Sequence, residues 1–388
     1  MNQPPNQLME RGGGFFLMSD VKPTPSPRLL SIDALRGFDM FWIIGGDELV
    51  HALAKWAPSD VMDRLNEQMD HVEWEGFHFY DLIFPLFLFL VGVVLPFSIG
   101  SHQAKGESTG WVYWRILRRT VLLFFLGLVY NHFLQFDFEH QRYAGVLQRI
   151  AICYGIAALI VLHVRPRGQF IIMIVTLLGY WAILAWVPAP GGAAGDLTME
   201  GNLAGWIDRQ YLPGEIKEEY YGYGDNEGFL STIPAVATTL LGALAGQWLR
   251  STRPGLLKAL LLAVAGGVCL GLGYAWNPWF PVIKTLWTSS YVLMAGGWSL
   301  LLLAVFYFII DVLSFRWWAY FFVVIGANAI VIYVAPVFIN FHYISNAVLG
   351  GIARHLDDLG PVILVLGVLA LKWLFLLYLY RRRLFLRV

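Results

Sequence analysis

This sequence predicts an all-α, polytopic transmembrane bundle of about ten spans with both termini in the cytoplasm, and three observations predict it. Hydrophobic residues make up 57% of the 388 positions and charged residues only 14%, whereas soluble domains run near 45–50% and near 25%. The apolar residues are gathered into long runs parted by short polar segments, the pattern of membrane spans rather than of a large core. Lysine and arginine are segregated into alternate connecting segments.

A helix needs about 20 apolar residues to cross the hydrocarbon. Ten segments qualify: 31–52, 80–100, 115–133, 144–163, 169–188, 230–249, 256–275, 288–311, 317–340 and 361–380. An even count puts both termini on one side. Of the 27 basic residues, Lys55, Arg64, Arg142, Arg209, Lys217, Lys284 and Arg354 fall in the opposite loops, and Arg36, Arg149 and Lys372 fall inside spans. The remaining 17 share the side of the termini, and the positive-inside rule makes that side cytoplasmic.

The formal net charge is zero, so no nucleic-acid partner is expected. Both cysteines, Cys153 and Cys269, lie in apolar runs and do not read as an extracellular disulfide. Residues 1–27 are rich in Pro and Gly. Their one apolar cluster, Phe15 to Met18, is too short for a signal peptide, so they read as a disordered leader, with Met18 an alternative start. Residues 28–388 form the transmembrane domain. No strong internal repeat is visible, so the inverted-repeat signature of many transporters is missing.

Two longer loops, near 53–79 and 189–229, share the extracytoplasmic face and are rich in Asp, Glu, Trp, Tyr and Gly. Such a pair suits a cap over a site for sugars or amines. The plainer reading is an interfacial aromatic belt.

Charges inside a membrane are costly and mark functional sites. The first span opens with Asp33 and Arg36, three apart and on one helix face, where they can pair. The pair is either structural or an anchor for an anionic ligand entering from the cytoplasm. Asp47 and Glu48 close the span after Gly45-Gly46. His71 precedes the second span and Asp81 opens it, with Trp74 between. An imidazole exchanges a proton near neutral pH, and a carboxylate that fixes its tautomer completes a base–orienter pair. His71 and His78 do not have helical metal-ligand spacing, so no metal is expected. Arg149 lies one turn into the fourth span, either snorkelling or binding substrate. Lys284, Thr288, Ser289 and Ser290 make a donor-rich entry to the eighth span, suited to a phosphate or a carbonyl oxygen or to plain helix capping. Asn328 is an amide within the ninth span that needs a partner in another helix.

These segments resemble the bacterial relatives of heparan-α-glucosaminide N-acetyltransferase, a transmembrane acetyltransferase family. The matching stretches are SIDALRGFDMFWI (31–43), HVEWEGFHFYDLIFPLFLFLVG (71–92), GVLQRIA (145–151), AGWIDRQYL (204–212), EGFLSTIPAVATTLLGALAG (227–246), FPVIKTLWTSSYVL (280–293) and GANAIVIY (326–333). Each piece is weak, but the ordered set is specific. The resemblance implies transfer of an acetyl group from cytoplasmic acetyl-CoA, a co-substrate, to a glucosamine amine across the membrane. It puts the essential histidine at His71, within His-x-x-Trp-x-Gly followed by Asp81-Leu-Ile-Phe-Pro. Asp47 stands where the family carries a polar Asn. The long N-terminal lumenal part of the animal enzymes has no counterpart, which points to a bacterial inner membrane and a free sugar or murein fragment as acceptor.

The sequence therefore predicts a membrane acyltransferase. His71 and Asp81 are its catalytic candidates. Asp47, Glu48, Trp74 and Arg149 are candidates for substrate binding. Asp33, Arg36, Lys284, Thr288, Ser289, Ser290 and Asn328 are candidates for acetyl-CoA. His71 would act as a base or carry the acetyl group itself. The expected partners are an amino sugar and the lipid bilayer, with a homodimer as a further candidate. The rival readings are a sugar or anion transporter, with Asp39, Asp47 and Arg149 along its path, and an O-acyltransferase of a surface polysaccharide.

Overall fold

The computed structural model describes residues 29–104, 106–216 and 222–385, and the leader expected over 1–27 lies outside the described residues. The chain begins with α1 (Leu30–Phe41) and α2 (Asp47–Trp56), joined through a wide turn at Trp42–Gly46. There Gly45 takes a φ of 129°, left-handed territory that glycine enters without a Cβ clash. After α3 (Asp60–Glu67), a short turn at Phe79–Leu82 leads into α4 (Ile83–Ala104). Then follow α5 (Thr109–Tyr130), α6 (Val146–His163), α7 (Pro166–Trp186), α8 (Leu203–Tyr211), α9 (Phe229–Arg250), α10 (Gly255–Trp276) and α11 (Ser289–Tyr307). The chain closes with α12 (Ala319–Ala327), α13 (Ala329–Val334), α14 (Phe341–Ala353) and α15 (Leu359–Arg381). Among the described residues the β-structure is limited to two isolated bridges.

Local chemistry sets the helix starts. The side chains of Ser59, Ser108, Asn202 and Thr288 each accept a bond from a first-turn amide, satisfying donors the helix leaves open. Pro166 occupies the first position of α7, where its missing N–H removes no helical bond.

Seven helices are long and apolar enough to span a bilayer among the described residues, and the α12–α13 pair, bent by 70°, makes eight if counted as one span. The expectation of ten spans departs from this in three places. The first segment is broken at Gly45. α5 carries Arg115, Arg118 and Arg119 inside the helix rather than in the preceding loop. The ninth segment breaks at Asn328. With seven apolar helices the chain is an integral, multi-pass membrane protein. The free cysteines lie on α6 and α10.

Without a hydrophobic drive between helices in lipid, close backbone approach through small residues holds them together. α4 and α9 meet through Gly92, Gly242 and Gly246. A Cβ at these positions would fall 1.9 Å from the Thr239 carbonyl oxygen, 1.9 Å from that of Phe89 and 2.2 Å from that of Val93. This register makes the two helices parallel. Gly37 and Gly326 do the same for α1 and α12, which run antiparallel. Leu256, Leu260, Val264, Val268 and Leu272 of α10 are each more than half exposed. They recur every four residues and form a stripe that faces lipid.

Helices α4, α6, α9 and α11 all start at the end of the bundle that carries the longer loops. The short connections after α4, α6 and α9 lie at the other end. Replacing Gly92 or Gly242 by Val is expected to destabilise the bundle by about 1–3 kcal/mol through overpacking. A lowered thermal midpoint of purified protein in detergent checks it, and a midpoint matching the wild type would refute the close contact.

Candidate active site

Asp81 sits in the turn that starts α4 and is fully buried. One carboxylate oxygen lies 2.8 Å from His71 Nδ1 and 3.2 Å from Lys284 Nζ. The other accepts from the His78 amide at 3.0 Å and the Val72 amide at 3.5 Å. A buried carboxylate needs such a ring of donors. The pattern assigns the imidazole proton to Nδ1 and leaves the lone pair on Nε2. The His71 side chain is 36% exposed, so the ring can be reached from outside. Lys284 Nζ lies 2.8 Å from Nδ1 and 3.1 Å from Nε2, beside both ring nitrogens. Burial pushes the Lys284 ammonium below the ordinary lysine range, against the opposing pull of Asp81 and Glu227.

Two loops hold this cluster in place. The Gly76 amide donates to Val282 O at 2.9 Å, and Glu75 bridges Ile283. Thr288 Oγ1 accepts from the Ile283 amide and donates to Pro281 O, Ser290 Oγ donates to Pro281 O, and Ser289 Oγ donates to Leu177 O. The hydroxyls of Thr288, Ser289 and Ser290 thus brace the loop that carries Lys284. The structure gives their hydrogens to backbone carbonyls, and Thr288 also caps α11, the capping alternative of the sequence reading. Tyr291 adds a bond from its hydroxyl to Asp81 O at 2.8 Å.

Trp287, in the same loop, has a φ of 52°, costly for a bulky side chain. Its surroundings compensate. The ring is 1% exposed. It packs on Phe84 and Tyr291, with centroids at 5.2 Å from each, and donates to Thr238 Oγ1 at 3.1 Å. Arg149 lies over the Trp287 ring at 5.0 Å. It is 1% exposed, bonds Gly228 O and Ser231 Oγ, and keeps Nε and Nη1 without a hydrogen-bond partner. It therefore does not snorkel. It faces the interior beside the His71 loop.

The other predicted residues separate into groups. The Trp74 indole donates to Leu197 O at 2.9 Å. Asp47 and Glu48 begin α2, where Glu48 approaches His342 at 3.7 Å, and no described contact joins either carboxylate to His71, Asp81 or Lys284. Asp33 and Arg36 pair at 3.5 Å, and Arg36 also reaches Gly326 O. Asn328 finds its partner beyond α15, donating to Leu384 O at 3.1 Å.

Arg36 and Asn328 line a cavity of about 600 Å³ together with Arg115, Arg118, Arg119 and Trp111. Along α4 its wall is Phe87, Val91, Val94, Ser98 and Ser101, a helical stripe about 21 Å long at 1.5 Å per residue. Phe87, at the deep end, is six residues from Asp81, about 9 Å along the helix. The cofactor candidates therefore divide, with Lys284 beside His71, Thr288–Ser290 bracing the Lys284 loop, and Arg36 and Asn328 in the cavity. The arginines of α5 were not among the sequence candidates, although their spacing at positions 115, 118 and 119 puts them on one helix face. Among the described residues no cluster of three or more His, Cys, Asp or Glu side chains could hold a metal ion.

Asp208 of α8 ties the second long loop to α9, accepting from the Phe229 amide at 2.9 Å and the Asp225 amide at 3.3 Å. Burial lifts its carboxyl to about 6, and those two amides pull the other way. A raised carboxyl stabilises the fold fully below the unfolded value near 3.9, and that stability is lost as pH rises through 6. Wild-type protein should therefore lose on the order of 2–3 kcal/mol from this group between pH 4 and 7. Thermal midpoints across that range should fall more steeply for wild type than for Asp208→Asn, and parallel curves would refute the assignment.

Two curated relatives are similar to this chain. Heparan-alpha-glucosaminide N-acetyltransferase of Homo sapiens is 25% identical over 436 residues, covering 96% of the chain and 62% of its own length. The Mus musculus protein of the same name is 25% identical over 374 residues, covering 82% of the chain and 56% of its own length. The chain thus spans about six-tenths of the length of the curated relatives it matches. No protein-family model matches the chain. The family resemblance carried by the seven ordered motifs is borne out by this similarity.

Proposed function

We propose that this chain, similar to those acetyltransferases along most of its length, moves an acetyl group from acetyl-CoA to the amine of glucosamine or a glucosamine-containing saccharide. The observation that carries the reading is the His71–Asp81–Lys284 cluster, an oriented and partly exposed imidazole with an ammonium beside it. The arginine-lined cavity supports it from the other end. Four guanidinium groups suit the phosphates of a CoA nucleotide, and the narrow stripe along α4 suits its thioester arm. We assign the end of the bundle with the short connections to the cytoplasm, where acetyl-CoA enters, and the His71 end to the opposite face.

In this reading His71 Nε2 takes a proton from the amine, and Asp81 stabilises the imidazolium that forms. The amine nitrogen forms a bond to the acetyl carbon, the carbon–sulfur bond breaks, and CoA leaves as a thiolate. Lys284 stands where negative charge develops on the acetyl oxygen, and such stabilisation is a large part of acyl-transfer catalysis. Asp39 is fully buried, yet it is outside the lining of the large cavity, which weighs against the rival path through Asp39.

Purified protein should acetylate glucosamine only when acetyl-CoA is supplied, and mass spectrometry should place the acetyl group on nitrogen. His71→Ala should lower kcat by about 10²–10⁴, and full activity in that variant would reject the catalytic role. Arg118→Glu and Arg119→Glu should raise the KM for acetyl-CoA by about tenfold or more, since each removes a charge-assisted contact. An unchanged KM in both would place the nucleotide elsewhere. Because burial depresses Lys284, its charge is lost below the ordinary lysine value of about 10.4. The alkaline limb of kcat/KM should therefore fall below that value, and Lys284→Arg, which stays charged, should extend activity upward. A limb that does not move would separate Lys284 from the reaction.

A further inference from the structure

A second cavity, of about 150 Å³, opens beside the first and shares Leu147 with it. Its polar wall is Tyr130, Asn131, Arg142, Gln148, Glu227 and Tyr333. The described bonds fix most of this wall. The Asn131 amide donates to the Arg142 and Ala144 carbonyls. Arg142 bonds Asp225 and, at 2.7 Å, one oxygen of Glu227. Two carboxylates thus share one guanidinium, so the group keeps a formal negative charge.

Gln148 is the exception. It is 3% exposed, and its Nε2 has no hydrogen-bond partner. Gly127 and Gly145 clear the space it occupies, since a Cβ at either would come within 2.2 Å and 2.7 Å of its amide oxygen. A buried amide donor left open at a cavity wall costs free energy unless something accepts from it. The rings of Tyr130 and Tyr333 stack on one another with centroids 4.7 Å apart and line the cavity as one aromatic wall. The chemistry required of an occupant is therefore one ring-sized body with hydroxyl acceptors and a positive charge. The volume matches that of a cavity that admits a single six-membered ring. Charge and hydrogen bonding connect its wall to the proposed reacting groups. The Glu227 charge acts on Lys284, which touches His71, and the neighbouring Gly228 carbonyl is bonded by Arg149.

We propose that this cavity is the subsite for the acceptor amino sugar, with Glu227 holding its ammonium, Gln148 Nε2 donating to a ring hydroxyl, and the stacked pair Tyr130 and Tyr333 forming one aromatic wall beside the ring. This inference rests on the acetyltransferase reading for its place in the reaction, while the binding itself can be measured without turnover. Equilibrium binding of labelled glucosamine to full-length protein in detergent, without acetyl-CoA and in a His71→Ala background, gives the direct readout. Adding Gln148→Ala or Glu227→Gln should weaken that binding by about tenfold or more. Wild type should prefer glucosamine to glucose in competition, and Glu227→Gln should abolish the preference. In otherwise wild-type protein each variant should raise the KM for glucosamine and leave the KM for acetyl-CoA unchanged, the latter also reporting that the variant is folded. Acetylation of glucosamine with an unchanged glucosamine KM in both variants would overturn the subsite while leaving the enzymatic reading intact. Glucosamine binding that depends on Gln148 and Glu227 in a protein without acetyltransferase activity would uphold the subsite and reject that reading.

Discussion

Asp81 is a carboxylate without solvent contact at the start of an apolar helix. A charge in that position is unfavourable unless donors surround it. The donors are two amides, an imidazole and an ammonium, and each comes from a segment that must be held in place to supply it. The loop before α4 is pinned to the loop before α11 through Gly76 and Val282, and Tyr291 fastens the Asp81 backbone to α11. Thr288 and Ser290 secure the segment bearing Lys284. The need to satisfy one buried carboxylate thus explains why two segments more than two hundred residues apart converge, and why an imidazole ends with a fixed tautomer at the edge of the bilayer.

The helices beneath this cluster are arranged so that a polar lining does not undo the bundle. α4 turns its glycine face to α9 and a second stripe to the large cavity, so close packing and an accessible groove lie on different sides of one helix. α5 contributes arginines to the groove, two of which lie against aromatic rings, Arg115 on Trp111 and Arg119 on Tyr154. Cation–π contact offsets part of the desolvation that a guanidinium suffers there. The break at Asn328 is used in the same way, since its amide ties the break to the Leu384 carbonyl beyond α15 and the residue forms part of the wall.

Much of this was legible in the sequence because it follows from local rules. Length and hydropathy marked the apolar helices, and the spacing of His71 and Asp81 around a helix start marked a histidine–carboxylate pair, which the structure puts at 2.8 Å. The i,i+3 pairing of Asp33 with Arg36 is also found. What the chain order concealed was non-local. Thr288, Ser289 and Ser290 read as open donors until the Pro281 and Leu177 carbonyls appeared beside them. Arg115, Arg118 and Arg119 read as cytoplasmic loop charges because helix α5 begins earlier than hydropathy alone indicates. Trp287 gave no sign of its left-handed backbone, since a tryptophan lacks the local preference for it that glycine or asparagine has.

The position of Lys284 carries one more consequence on the proposed reading. Its Nζ lies 2.8 Å from His71 Nδ1 and 3.1 Å from Nε2, beside both ring nitrogens and off the in-plane axis of the Nε2 lone pair. A proton gained by the imidazole would therefore create a second cation directly against the ammonium. Asp81 is in contact with both, so its single carboxylate is the counter-charge that would offset their repulsion at the moment of transfer.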